Sequence, residues 1–302
     1  MAKDLYKEVT DRILAMLDKG VIPWRRPWSL ACNAKHGAYS HATGKPNSFV
    51  NQMLLSRPGE YVTFQQAKKE GGHVKKGAKS ECVYFFKKMV TDDVDKDGNV
   101  KVDKDGHVKT KTFPWLKYIC VFHIDDTEGL KPRMKEVEEG EVEFSADNSL
   151  QLILEYAKRE GITLELDSAS NRAFYRPATD TIVMPHRNQF AEEEEYFSTL
   201  FHESVHSTGH EKRLNRLENG GFGSEPYSRE ELVAEMGSAM ILFREGLTTE
   251  ATVKNNVAYI QSWSRKLRED KRLFIWAARR AEAAANLIYD EKPEAEDQEQ
   301  ED

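Results

Sequence analysis

The sequence predicts an α+β fold in two parts: an N-terminal α+β part, and a C-terminal part in which a small sheet lies beside a helix carrying His202-Glu203-x-x-His206. Three observations predict it. Helical spacing and strand alternation interleave along the whole chain. Charge is uneven: residues 1–90 hold sixteen Lys and Arg against seven Asp and Glu, although the chain carries −7 overall. Residues 131–140 are charged and without periodicity, and they separate the two parts. At 302 residues the chain is long enough for two domains. The expected boundaries are a domain over 1–130, a linker over 131–145, a domain over 146–290 and an acidic, disordered tail over 291–302.

Leu5, Val9, Ile13, Met16 and Leu17 keep helical spacing over residues 4–19, and Gly20 stops that helix. Pro23-Trp24-Arg25-Arg26-Pro27-Trp28 follows. Its tryptophans can stack on unpaired bases and its arginines can meet phosphates. The alternative is that the tryptophans anchor a loop to the core. Thr43-Gly44-Lys45 lacks the first glycine and the spacing of a phosphate loop, which argues against a nucleotide site. A short helix is predicted over 49–55, a strand over 61–64 and a helical turn over 65–70. Residues 71–79 form a glycine-rich basic loop with Lys75, Lys76 and Lys79, and 83–86 read as a strand. Aromatics alternating with lysines suit single-stranded nucleic acid; a solvated basic face is the alternative. Lys45 joins this basic set.

Residues 94–101 repeat at once as 102–109, each copy with an Asp-Gly pair between valines, which signals hairpin turns. The first copy opens like a calcium loop, but Lys104 stands at its twelfth position and no helices flank it. Residues 115–124 are rich in β-formers and complete the first part. Cys32, Cys82 and Cys120 are an odd number without a Cys-x-x-Cys, and are read as reduced thiols. No segment is apolar and long enough to span a membrane, and the first residues lack an apolar signal region. A cytoplasmic protein without a membrane partner is therefore expected.

In the second part a helix over 148–159 ends at Gly161, a strand covers 162–166, and 173–184 read as a hairpin. Glu192–Glu195 then place negative charge at a helix N-terminus, Phe197, Leu200, Phe201 and Val205 supply its apolar residues, and Gly209 stops it. On that helix His202 and His206 share a face one turn apart, so both can present a ring nitrogen to one metal ion. Glu203 lies beside that face as the general base for a water. The expected ion is Zn²⁺, with Mn²⁺ or another divalent ion as the alternative. Arg213 stands where a third histidine of an extended motif would fall. The third ligand is instead expected from a second helix, opened by Ser228-Arg229-Glu230-Glu231 as a capping box and striped by Leu232, Met236, Ala239, Met240 and Phe243. Glu235, at the edge of that stripe, is the expected ligand, ahead of Glu231 and His210. Tyr227 and His210 are candidates for stabilising an oxyanion. Two amphipathic segments over 253–267 and 273–288 complete the part.

These residues resemble the ArdC-type antirestriction proteins of conjugative plasmids and phages. The likeness rests on Ile22-Pro23-Trp24, Thr43-Gly44-Lys45-Pro46 and Val62-Thr63-Phe64, then on residues 202–210, Arg213-Leu214 and Glu231-Leu232-Val233-Ala234-Glu235. The resemblance implies an N-terminal single-stranded DNA-binding domain, a C-terminal zincin-like metallopeptidase domain, and protection of incoming DNA from host restriction. The partners expected are single-stranded DNA and a protein substrate whose identity the chain does not give. The rival is a protein that coats single strands, with a structural or vestigial metal site. Two couplings are expected: binding enzyme and target to one strand raises their effective concentration, and the charged linker lets the first domain cover the metal cleft until DNA draws it away.

Overall fold

The computed structural model describes residues 3–25, 37–96, 98–104, 106–133, 144–218, 225–247 and 257–292. The acidic tail beyond Lys292, linker residues 134–143, Arg26, Trp28 and the side chain of Arg25 lie outside the described residues.

The N-terminal part begins with α1 (Leu5–Leu17), capped by the Asp4 side chain accepting from the Lys7 amide. A 3₁₀ turn (Pro23–Arg25) precedes β1 (Ala38–Ser40), α2 (Phe49–Leu54), β2 (Gly59–Thr63), α3 (Phe64–Lys69) and β3 (His73–Val74). β4 (Glu81–Asp92) and β5 (Thr110–His123) are the longest strands, and β6 (Thr127–Glu128) follows. The main sheet has the order β1-β2-β5-β4, with β1 parallel to β2 and the other pairs antiparallel. β3 and β6 form a small ribbon of their own. The two Asp-Gly repeats cap the β4–β5 hairpin as the expected turns, closed by the bridges Val94–Val100 and Val102–Val108. Strands, not helices, flank them, which fits turns and not a calcium loop. Cys82 stands opposite Cys120 across β4 and β5, both as free thiols.

The C-terminal part runs α4 (Ala146–Glu160), β7 (Thr163–Ser168), β8 (Phe174–Arg176), β9 (Thr181–Pro185), α5 (Glu193–Thr208), α6 (Glu225–Arg244), α7 (Val257–Glu269) and α8 (Leu273–Ile288). Its sheet has the order β7-β9-β8, so β8 is an edge strand. Ala277, Ala278, Ala281, Ala284 and Ala285 of α8 are all buried. Their small side chains let α8 lie close against α6 and α5. Among the described residues no helix is long and apolar enough to cross a membrane.

Two expectations are corrected here. The parts have separate sheets but one hydrophobic core: Val9, Ile13, Trp24 and Met53 belong to the same cluster as Phe197, Leu232 and Phe274. α1 packs on α7 and α2 on α8. Thr10 Oγ1 donates to the Lys271 carbonyl at 2.8 Å, and the Phe49 amide to Glu282 Oε1 at 2.9 Å. Swinging the first part off a metal cleft would break this core. Trp24, expected on a base-stacking loop, is 2 % exposed. Its ring meets Phe274 and its Nε1–H donates to Tyr259 Oη at 3.3 Å. It is the anchor that the alternative reading described. Trp24→Phe is expected to destabilise the chain by about 1–2 kcal/mol, one lost hydrogen bond plus a small packing defect. Single-strand affinity should stay unchanged; denaturant melts and an oligonucleotide titration check both.

Candidate metal centre

α5 carries the motif, and its position follows from what it buries. Glu193, Glu194 and Glu195 fill its first turn, where the helix dipole favours acids. Phe197, Leu200, Phe201 and Val205 are fully buried. α6 crosses α5 at Gly237, where an added Cβ would lie 2.9 Å from the methyl carbons of Val205. The crossing is thus as close as glycine allows, and it brings the start of α6 over the histidines. α6 begins at Glu225, three residues before the expected cap at Ser228. Glu230 and Glu231 therefore stand inside the helix and are not capping acids.

The carboxylate that the fold groups with the two histidines is that of Glu231, where the sequence favoured Glu235. Glu231 Oε1 lies 3.3 Å from His206 Nε2, and Glu231 Oε2 lies 3.7 Å from His202 Nε2. The two Nε2 atoms are 3.1 Å apart. Glu235, one turn further along α6, is not in the group formed by His202, His206 and Glu231. Three ligands of a tetrahedral ion with bonds of about 2.0–2.1 Å are separated by roughly 3.3–3.4 Å. The observed separations bracket that figure, so the donor set fits a small divalent ion. His202 and Glu231 are part-exposed while His206 is more enclosed, so the centre opens to solvent on one side.

Glu230 supplies what the sequence reading missed. Its carboxylate accepts from His206 Nδ1 at 3.2 Å, which directs the Nε2 lone pair of that ring toward the centre. Glu230 is itself gripped by Arg216, whose Nε and Nη2 donate to its two oxygens at 2.9 Å each. Arg216 reaches this place because the chain after α5 turns back over Gly209, where a Cβ would lie 2.9 Å from Leu217 Cγ. Burial alone would lower the His206 pKa, but the bonds from Glu230 and Glu231 outweigh it and raise it to about 10, so a divalent ion would bind by displacing the Nε2 proton. Burial would raise Glu231, yet the two histidines hold it well below the usual carboxylate range. The centre thus keeps an anionic ligand at neutral pH.

Glu203 faces the edge strand: its Oε2 accepts the Tyr175 amide of β8 at 2.8 Å. Tyr175 is fixed in turn, with Oη donating to Asp180 Oδ1 at 2.7 Å and accepting from Arg213 Nη2 at 3.1 Å. Tyr227 lies one turn before Glu231 on α6. Burial first, then the charge and hydrogen bond of Glu231, push its hydroxyl up to about 12. His210 is not brought to the centre: it follows α5, and its Nδ1 accepts the Lys212 amide at 3.2 Å.

The nucleic-acid set is only partly placed. Lys45, Lys76 and Lys79 are exposed. Lys75 is also exposed, and its Nζ donates to the Asp125 carbonyl at 2.7 Å, which ties the basic loop to the residues before β6.

A His-Glu-x-x-His helix beside the edge of a small sheet, crossed by a helix that brings a carboxylate, defines a zincin-like metallopeptidase domain. Residues 155–280 match the family model of that description. Residues 3–122 match the N-terminal domain of the anti-restriction factor ArdC. The chain is similar to the antirestriction ArdC protein of the R388 plasmid, solved as crystal structures. The metal-free form shares 32% identity over 95% of this chain and 97% of that one, with a TM-score of 0.69. The Mn(II)-bound form shares 31%, over 95% and 98%, with a TM-score of 0.71. The chain therefore belongs to the ArdC family of antirestriction proteins. It is also similar to a protein named DNA primase TraC of Escherichia coli, 30% identical over 95% of this chain and 20% of that protein, so the chain spans about a fifth of that relative. An uncharacterised protein, y4eC, of Sinorhizobium fredii is 29% identical over 97% of this chain and 94% of its own length.

Proposed function

We propose that the chain binds single-stranded DNA through its N-terminal part and cleaves peptide bonds at the His202–His206–Glu231 centre, protecting incoming plasmid or phage DNA from host restriction. The observation that carries the enzymatic reading is the convergence of two imidazoles and one carboxylate with Glu203 beside them. His202, His206 and Glu231 would hold the ion, Zn²⁺ or Mn²⁺. A bound divalent ion supplies Lewis acidity and lowers the pKa of a water it holds. Glu230 and Arg216 set the ring of His206, so that ligand is oriented before the ion arrives. Glu203 takes the proton from the attacking water and returns it to the leaving amine. The Tyr175 amide keeps the Glu203 carboxylate on the cleft side of α5 while it does so. Tyr227, held protonated beside Glu231, is the donor available to the developing oxyanion.

The experiment compares wild type with Glu203→Gln for metal content, for peptide hydrolysis and for protection of transferred DNA. Glu203→Gln is expected to keep the ion and lose hydrolysis by at least about a hundredfold, the scale of general-base catalysis. Protection that survives this substitution in full would favour coating of single strands as the mode of antirestriction. Hydrolysis that survives it would remove Glu203 from the mechanism.

A further inference from the structure

β4 and β5 run antiparallel through twelve residue pairs, and successive side chains take opposite faces. One face carries Tyr84, Phe86 and Leu116 and packs on the core. On the other, Phe85 stands opposite Lys117 and Lys87 opposite Trp115, with Ile119 next toward the base. Trp115 is 52% exposed and Ile119 42%. The two strands hold Lys87, Lys88, Lys111 and Lys117, and their acids, Glu81 and Asp92, stand at the two ends of β4. Trp115, Ile119 and Phe85 are neighbours on this one face, so their apolar surface is contiguous and is flanked by lysines.

From this we infer that the outward face of the β4–β5 ribbon is the surface on which a single-stranded nucleic acid lies, its bases on Trp115 and Phe85 and its phosphates at Lys87 and Lys117. This rests on the single-strand binding proposed above and gives it a place. Trp115 and Phe85 are diagonal neighbours, roughly 7–8 Å apart by the geometry of paired strands. That is far enough for two bases of a splayed strand to meet one ring each. Each ring has a lysine directly across the ladder, so a stacked base finds a cation beside its phosphate. A protein partner is less suited to this face, since lysine is depleted in protein–protein interfaces. A duplex is less suited as well, because its bases are already stacked. Trp24 cannot serve, for it is in the core.

The test uses the full chain and a fluorescein-labelled oligo-dT, read by anisotropy at several salt concentrations. Trp115→Ala is expected to weaken binding about tenfold, the scale of one base–aromatic stack, while Trp115→Phe stays near wild type. The Lys87→Gln, Lys117→Gln double variant is expected to lower the slope of log K against log salt by about 1.4, or about 0.7 per phosphate contact on a single strand. If wild type binds and these variants bind equally well with the same slope, the face is wrong and single-strand binding stands. Wild type that does not bind oligo-dT removes both. Equal losses on a duplex of the same length would mean a plain basic patch, and would overturn the stacking. If Trp115→Ala does not fold, the lysine pair decides.

Discussion

Glu231→Ala is expected to strip the divalent ion from the purified protein, and Glu235→Ala to leave it in place. The carboxylate of Glu231 lies within 3.3–3.7 Å of both imidazole Nε2 atoms, whereas Glu235 stands outside the cluster. Losing an anionic ligand should weaken affinity by at least about a thousandfold, since losing an outer partner alone costs about 10–100-fold. His202→Ala and His206→Ala should behave like Glu231→Ala. Glu230→Gln should fall between, weaker by about 10–100-fold, because an amide orients the His206 ring less firmly than a carboxylate. Elemental analysis per chain and competition titrations with Zn²⁺ and Mn²⁺ read these differences. Full occupancy in Glu231→Ala would refute the ligand set.

The grouping of Glu231 and not Glu235 with the histidines shows where sequence reasoning reached and where it stopped. The spacing of His202 and His206 needs only a helix, and the flanks of α5 declare one. α1, α2, the 173–184 hairpin and α8 were legible for the same reason: a local period and a local stop. The apolar stripe read from the α6 sequence is Leu232, Met236, Ala239, Met240 and Phe243, which assigns the helix one buried face. In the fold Glu230, Val233, Ala234, Gly237 and Ile241 are buried too, and this second stripe is the one that meets α5. Its small residues, Ala234 and Gly237, were the signal that a helix crosses there. Following that face back one turn arrives at Glu230 and Glu231. Trp24 failed for a different reason. Its loop composition fits base stacking as well as anchoring, and only the fold, which brings Phe274 and Tyr259 from the far end of the chain, decides between them. The shared core was likewise invisible, because the contacts of α1 with α7 and of α2 with α8 join residues more than two hundred positions apart.

Asp180→Asn is expected to destabilise the chain by about 3–5 kcal/mol, because it leaves a buried guanidinium without its counter-charge. The Arg213 side chain is 1% exposed. Its Nη1 donates to Asp180 Oδ2 at 3.1 Å, its Nη2 to Asp180 Oδ1, and its Nε to the Ser207 carbonyl at 2.8 Å. Asparagine isolates the charge: residue 180 has φ +49°, a left-handed conformation that Asn adopts nearly as readily as Asp. Alanine would add about 1–2 kcal/mol of backbone strain. At about 2 °C per kcal/mol for a chain of this size, Asp180→Asn should lower Tm by roughly 6–10 °C at pH 7. The effect should vanish in acid. Burial would raise the Asp180 pKa, but hydrogen bonds from Arg213 and Tyr175 outweigh it and hold it below 3.8. A depressed carboxyl contributes its stability above the unfolded pKa and loses it as pH falls through the folded one. The gap between wild type and variant should therefore be full at neutral pH and narrow progressively as the pH falls below the ordinary aspartate value toward the lower folded one. The same cluster holds Tyr175, whose amide holds Glu203. Asp180→Asn should thus also lower hydrolysis at temperatures where the protein is still folded, with metal content unchanged. Melts at pH 7 and pH 3, with hydrolysis and metal analysis on the same preparations, separate the two effects. A Tm gap that does not narrow at all between pH 7 and pH 3, or activity that tracks only the folded fraction, would show that this ion pair neither carries the stability nor positions Glu203.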